Sequence, residues 1–470
     1  MKGDFTRNTF DPNKHFLRVL MQQGRVQLDA DWNEQTAILL HYLQTLAADI
    51  IGPYAGPASE LGFEIKPGDA QGDFKIGEGR YYVNGLLCEN GQETGYLNQT
   101  DYPLSKEDDA LGVGNYVVYL DVWERHVSYV EDDSIREKAL NGVDTATRSK
   151  VVWQVKVKPI TYNYAYCQQG TSLLGEEVST LSRIGMSARA KQVRKDKQPC
   201  LTEPDAQYRG LENQLYRVEI HDGNTVDEAG NAKTPTFKFS RENGSAIFPV
   251  SQFVYDAGSI TSTVTLEHLG RDEKLGLKVH DWVELIDDRI SLKNEINPLL
   301  QVLDIDVIDR KIILSGGEGM AIHQCRHPLL RRWDQRAKKN EINAEGVIEI
   351  HGNGWIPLED GIEVKFALED AGAIRPGDYW LIPARVATGD IEWPSTGHDK
   401  NTRIPQILQP QGIEHHYAPL AIIAATDGTV TITSDCRCSF EPLSGACNYN
   451  YFGRIGIGTD LIRPRARDDR

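Results

Sequence analysis

Cysteine is scarce. Seven thiols in 470 residues are too few and too scattered for the disulfide framework of a small secreted domain. Only Cys436, Cys438 and Cys447 cluster, in DCRCSFEPLSGAC. A C-x-C with one more thiolate offers three zinc ligands and no evident fourth, so reduced thiols and no metal are expected, with synthesis in the cytoplasm. Positive charge is also short. Lys and Arg total 51 against 68 Asp and Glu, a formal net charge of −17, which disfavours general binding to nucleic acid or anionic membrane. The tail arginines Arg463, Arg465 and Arg467 are too few to reverse that. Long apolar runs are missing: Ala418 to Ala425 is about the longest, a strand rather than a membrane span. The charged, polar start carries no signal-peptide pattern. Any contact with a membrane or cell surface is therefore expected to be indirect, through a partner.

Catalytic motifs are absent as well. There is no G-x-S-x-G elbow, Walker A loop, H-E-x-x-H or EF-hand loop. The glycines of GRIGIG, Gly453 to Gly458, lack the flanking strand and helix of a phosphate loop. His415 and His416, with His323 and His327 upstream, are the best metal-like group. Neighbours on a strand point to opposite faces, so one packed and one exposed histidine is expected. The acidic pairs Asp132-Asp133, Asp287-Asp288 and Glu359-Asp360 sit in or beside turn sequences, which aspartate favours through local backbone hydrogen bonds. Glu124, Asp121 and Glu242 are the acids to inspect if a cleft exists. The expectation is no enzyme, no catalytic residues and no cofactor.

What is present begins at the amino terminus. A polar, Pro-containing lead and a short strand-like stretch, Arg25 to Leu28, precede one long amphipathic helix. Asp29 or Asp31 is placed to cap it, since a short carboxylate accepts from free N–H groups of the first turn. Trp32, Leu39, Leu43, Leu46 and Ile50 recur at steps of seven, four and three. That spacing makes a narrow a/d seam, as in a coiled coil, and marks these five as candidate interface residues. An ordinary helix packed on its own domain is the alternative.

Past the helix, short strands and turns dominate, which predicts a mainly β chain of several small sandwich or barrel domains. IGEGRYYVNGLLCENG reads as a hairpin around Asn84-Gly85. The expected divisions are 1–57 (strand and docking helix), 58–165 (β domain), 166–205 (linker or insertion, with a short helix near Ser187 to Lys195), 206–335 (barrel-like β domain), 336–445 (third β domain) and 446–470 (extended arm). Asp281-Trp282 and Asp378-Tyr379 each open an apolar strand, a weak sign of duplication. Trp123, Trp153, Trp282, Trp333, Trp355, Trp380 and Trp393 fall in strand-like runs or their turns, as core or interface anchors or as sugar-stacking platforms.

Together, GDFTRNTFDP, LMQQGRVQLDADWNEQ, FKFSRENGSAIFPV, HPLLRRWDQ, GDYWLIPARVATGDIEWP and GIEHHYAPLAII resemble an uncharacterised domain-of-unknown-function family found with gene clusters for phage-tail-like contractile injection systems. The resemblance runs from Gly3 to about Leu443; Cys438 and Cys447 depart from its pattern. It implies a structural subunit of a contractile tail-like particle, at the baseplate or extending it, with copies of itself and other baseplate or tail proteins as partners. Such a particle is either membrane-attached or released. A glycan- or cell-surface-binding module of the particle, or a glycan-cleaving enzyme, are the alternatives.

Overall fold

In a computed structural model, the structure describes residues 1–102, 104, 109–160, 167, 172, 174, 184–191, 207–223, 233–293, 295–320, 326–336, 341–352, 354–368, 374–397 and 403–442. Among these the chain is mainly β, with one closed six-stranded barrel and several open sheets. The GRIGIG glycines, Cys447 and the expected arm at 446–470 lie outside the described residues.

The first helix, α1, runs from Asp29 to Ile51. Leu28 occupies its N-cap position without a side-chain cap, so the expected aspartate cap is replaced by Asp29 and Asp31 inside the first turn. Their charges still oppose the positive end of the helix dipole. Arg25 to Leu28 is not a strand, because among the described residues no strand pairs with it to take its backbone hydrogen bonds. The chain then enters the antiparallel strands Gly79–Val83 and Leu86–Asn90, joined at Asn84-Gly85 as the dipeptide predicts. Both turn residues have positive φ, 50° and 80°, the type I′ geometry that matches strand twist.

Sheets draw strands from distant parts of the chain. The fourteen-residue strand Gly114–Val127 pairs with Arg148–Pro159 on one side and with His416–Thr426 on the other. A long β-branched and aromatic strand has two edges to satisfy, and the apolar run near Ala418 fills the second. Likewise Gln214–Asp222 lies between Thr236–Ser240 and Tyr379–Arg385. These pairings cross the compositional boundaries near 205 and 335. Where a short helix was expected from Ser187, the strand Gly185–Ala190 pairs with Ile362–Ala367. Met186 and Ala188 alternate into the core there, and two-residue alternation on a pairing edge defeats the helix.

The barrel is formed by Ile247–Asp256, Thr261–Leu266, Lys311–Ser315, Leu299–Asp306, Trp282–Ile286 and Leu329–Trp333. Phe248, Val264, Val283, Ile312 and Leu330 fill its interior, so it is a packed core and not a channel. Trp282 opens a barrel strand while Tyr379 opens a strand of the open sheet; the two Asp–aromatic starts occupy unlike positions.

Candidate docking surface

The amino-terminal arm is anchored at its start. The Met1 ammonium donates to the Tyr379 hydroxyl at 3.0 Å, and Lys2 pairs with buried Glu219 at 3.0 Å. Arg217 donates to the Met1 carbonyl, and Asn243 donates to that of Gly3 at 3.0 Å. Burial alone would raise the Glu219 carboxyl, but Lys2, Arg217 and Lys238 together hold it far below the usual carboxylate range. Lys238 in turn meets Glu284 at 2.6 Å, and the Trp333 indole donates to the same carboxylate at 2.9 Å. A buried ionic cluster thus ties the first residues to the open sheet and the barrel at once.

From there the arm runs along α1. The Thr6 amide donates to Asp29 at 2.8 Å and the Thr6 hydroxyl to the same carboxylate. Partial burial works against ionisation of Asp29, yet these bonds keep it below its ordinary value. Thr9 donates to Glu34, and the Phe10 ring lies 5.6 Å from that of His41. After the turn at Pro12–Lys14, closed by His15 in the left-handed region, the chain returns, and Val19 donates its amide to Gln35 at 2.8 Å. Every one of these hydrogen bonds is made to a polar side chain of the helix.

The apolar side chains are left outside. Trp32 is 77% exposed, Leu39 51%, Leu43 57%, Leu46 42% and Ile50 68%. Of α1, only Ala30 and Ile38 are buried. The seam is therefore largely exposed rather than packed against the strands of its own chain. Sequence reading missed the arm, where Phe16, Leu17, Leu20, Met21, Val26 and Leu28 are all exposed. The cluster FLRVLM carried a signal, but an arm without regular structure shows no periodicity to reveal a face. Fourteen of the thirty exposed large apolar side chains among the described residues lie in residues 1–50. Such concentration makes residues 1–50 the candidate docking surface, since scattered single exposures need no explanation. Among the described residues no helix is long and apolar enough to cross a membrane.

The remaining candidate residues are dispersed. Asp121 is buried and paired with Lys156 and His415, each at 2.7 Å. The His415 ring packs on Trp123 at 4.7 Å, while His416 bonds the Asn84 amide at 3.0 Å. The two histidines thus diverge, but both are half-buried and partnered, unlike the expected packed and exposed pair. His327 pairs with Asp288, and His323 lies outside the described residues. Glu124 accepts from Ser149 at 3.3 Å, and Glu242 pairs with Lys274 at 2.6 Å. Glu359 stands in a turn as expected, closed by the Ile362 amide donating to its carbonyl; its side chain is buried and clamped by Arg241, with the Tyr216 hydroxyl donating to it at 3.1 Å. Cys436, expected as a free thiol, is bonded to Cys167; Cys88 and Cys438 are free. The pairing was illegible because 269 residues separate the two. Trp123, Trp282, Trp333 and Trp380 are buried core anchors and offer no open ring face to a sugar.

The chain matches the model of a family described as a family of unknown function (DUF6519), over residues 1–165 and 161–451. No curated protein and no solved structure matches it.

Proposed function

This chain belongs to the DUF6519 family of unknown function, and from that premise we propose that it is a structural subunit of a contractile phage-tail-like particle, at the baseplate or extending it. Its work in this reading is mechanical: to hold a place in an assembly and, through neighbours, to link that assembly to a target or membrane. The observation that carries the reading is the seam of α1, five large apolar residues at coiled-coil spacing, each exposed. Leaving that surface in water is costly at about 25 cal/mol per Å², so a neighbour in the assembly is its natural cover. The family resemblance of the segments quoted above supplies the kind of assembly, and the small, Gly- and Pro-punctuated β units suit a rigid particle component.

The test is incorporation. Trp32, Leu39, Leu43, Leu46 and Ile50 are exposed, so changing all five to Ser should leave thermal stability nearly unchanged. Particles purified from cells carrying that variant should lack the subunit, whereas wild-type particles contain it. Equal incorporation of the variant, or absence of the wild-type chain from particles, overturns the proposal.

A further inference from the structure

We infer that two copies of this chain pair by reciprocal exchange, the arm at residues 12–28 of each lying on the α1 surface of the other. The inference rests on the reading of α1 as a docking surface and names what covers it.

Charge is segregated across this surface. Residues 12–28 contain Lys14, Arg18 and Arg25 and no acid; α1 contains Asp29, Asp31, Glu34 and Asp49 and neither Lys nor Arg. Asp29 and Glu34 are engaged by Thr6 and Thr9 of the same chain. Lys14, Arg18, Arg25, Asp31 and Asp49 make no ion pair among the described residues. Around these charges lie two apolar sets, Phe16 to Leu28 on the arm and the seam on the helix, both exposed. Residues 12–28 meet their own helix through a polar contact, the Val19 amide donating to Gln35. Packing within one chain therefore satisfies neither apolar set and neither set of free charges.

A surface with one basic half and one acidic half, each beside apolar residues, is complementary to itself. That is the requirement of a two-fold interface, in which the same patch on each copy meets the other. An anionic membrane or nucleic acid would match the arm but be repelled by α1 and by a chain of net charge −17. The area suffices. α1 has 23 residues, about 35 Å of helix, and with the arm it offers enough apolar surface for the roughly 800 Å² per partner of a standard interface.

The test is a charge-swap pair on the full chain, read by sedimentation equilibrium and native mass spectrometry. Wild type should be a dimer. R18E/R25E and D31K/D49K each place like charges across both contacts and should weaken the dimer at least about tenfold. An equimolar mixture should restore it as a heterodimer, because arm and helix are then opposite in sign at both contacts. Packing of an arm on its own helix predicts no rescue on mixing. The milder R18Q/R25Q should weaken dimerisation in the same direction, should either charge reversal fail to fold. A wild-type chain that stays monomeric, a reversal variant that dimerises like wild type, or a mixture that stays monomeric overturns the inference. A monomeric wild type that still enters particles overturns pairing alone. A dimer whose seam variant enters particles normally overturns the particle-docking reading alone.

Discussion

Gly85 sits against the backbone of Gln44: a β-carbon there would lie 2.2 Å from the Gln44 carbonyl oxygen. The turn that the Asn84-Gly85 dipeptide forces on the hairpin is thus also the seat of α1. The glycine serves twice, once for its φ of 80° and once for the close approach of a helix backbone.

Gly85→Ala should therefore displace the carboxyl half of α1 from the hairpin. Left-handed backbone alone costs about 1–2 kcal/mol for a residue with a β-carbon, and the clash with backbone adds to it. A lowered melting temperature and faster amide exchange in residues 40–51 are the expected readouts. Gly91, which has open space around it, supplies the control: Gly91→Ala should stay within about 0.5 kcal/mol of wild type.

Lys238 and Glu284 are each almost fully buried and meet at 2.6 Å. Lys238→Met strands a buried carboxylate and should cost about 3–5 kcal/mol. Lys238→Met with Glu284→Gln removes that charge while keeping an acceptor for the Trp333 indole, and should recover most of the loss. Chemical denaturation of the two variants beside Glu284→Gln alone measures the coupling. Additive losses would show that the ion pair is not the source.

His221 is buried, and burial, reinforced by the charge of Lys238, pushes its imidazolium down to about 4. The unfolded chain then binds more protons than the folded one between the ordinary histidine value of about 6.5 and about 4. Stability from this residue is intact above that window and is lost as pH falls through it. Melting temperature measured from pH 7 to pH 4 should fall, and His221→Gln should flatten the slope. An unchanged slope would assign the acid sensitivity elsewhere.

Cys167 and Cys436 close a loop of 269 residues. On the chain-entropy account, a loop that long stabilises the oxidised fold by at most about 5.6 kcal/mol. Cys436→Ser should melt like reduced wild type and below oxidised wild type. Cys438→Ser, at an exposed free thiol, should leave both values nearly unchanged.

Much of this was legible in local chemistry, for reasons that can be named. The a/d spacing from Trp32 to Ile50 is a helical period, and α1 runs from Asp29 to Ile51. Asn-Gly specifies a type I′ turn through backbone sterics, so the hairpin at residue 84 needed no tertiary information. The arm was only half readable. Its apolar residues stand in the sequence, but extended chain without a partner strand has no period by which to assign a face.

α1, its seam, the β character of the rest and the segregation of charge between arm and helix follow from local chemistry, because each depends on residues close in the chain. Which strands became neighbours and which polar residues became core depended on long-range packing. TFKFS alternates polar and apolar residues and reads as a strand with one wet face. All five residues of Thr236–Ser240 are nonetheless buried, because Lys238 on the polar face meets Glu284 of the barrel. Alternation distinguishes the two faces of a strand, whereas burial of the polar one depends on an opposite charge arriving from 46 residues away. The same holds for the seam: its spacing is local, but its exposure followed only from where the hairpin and the arm left α1 uncovered.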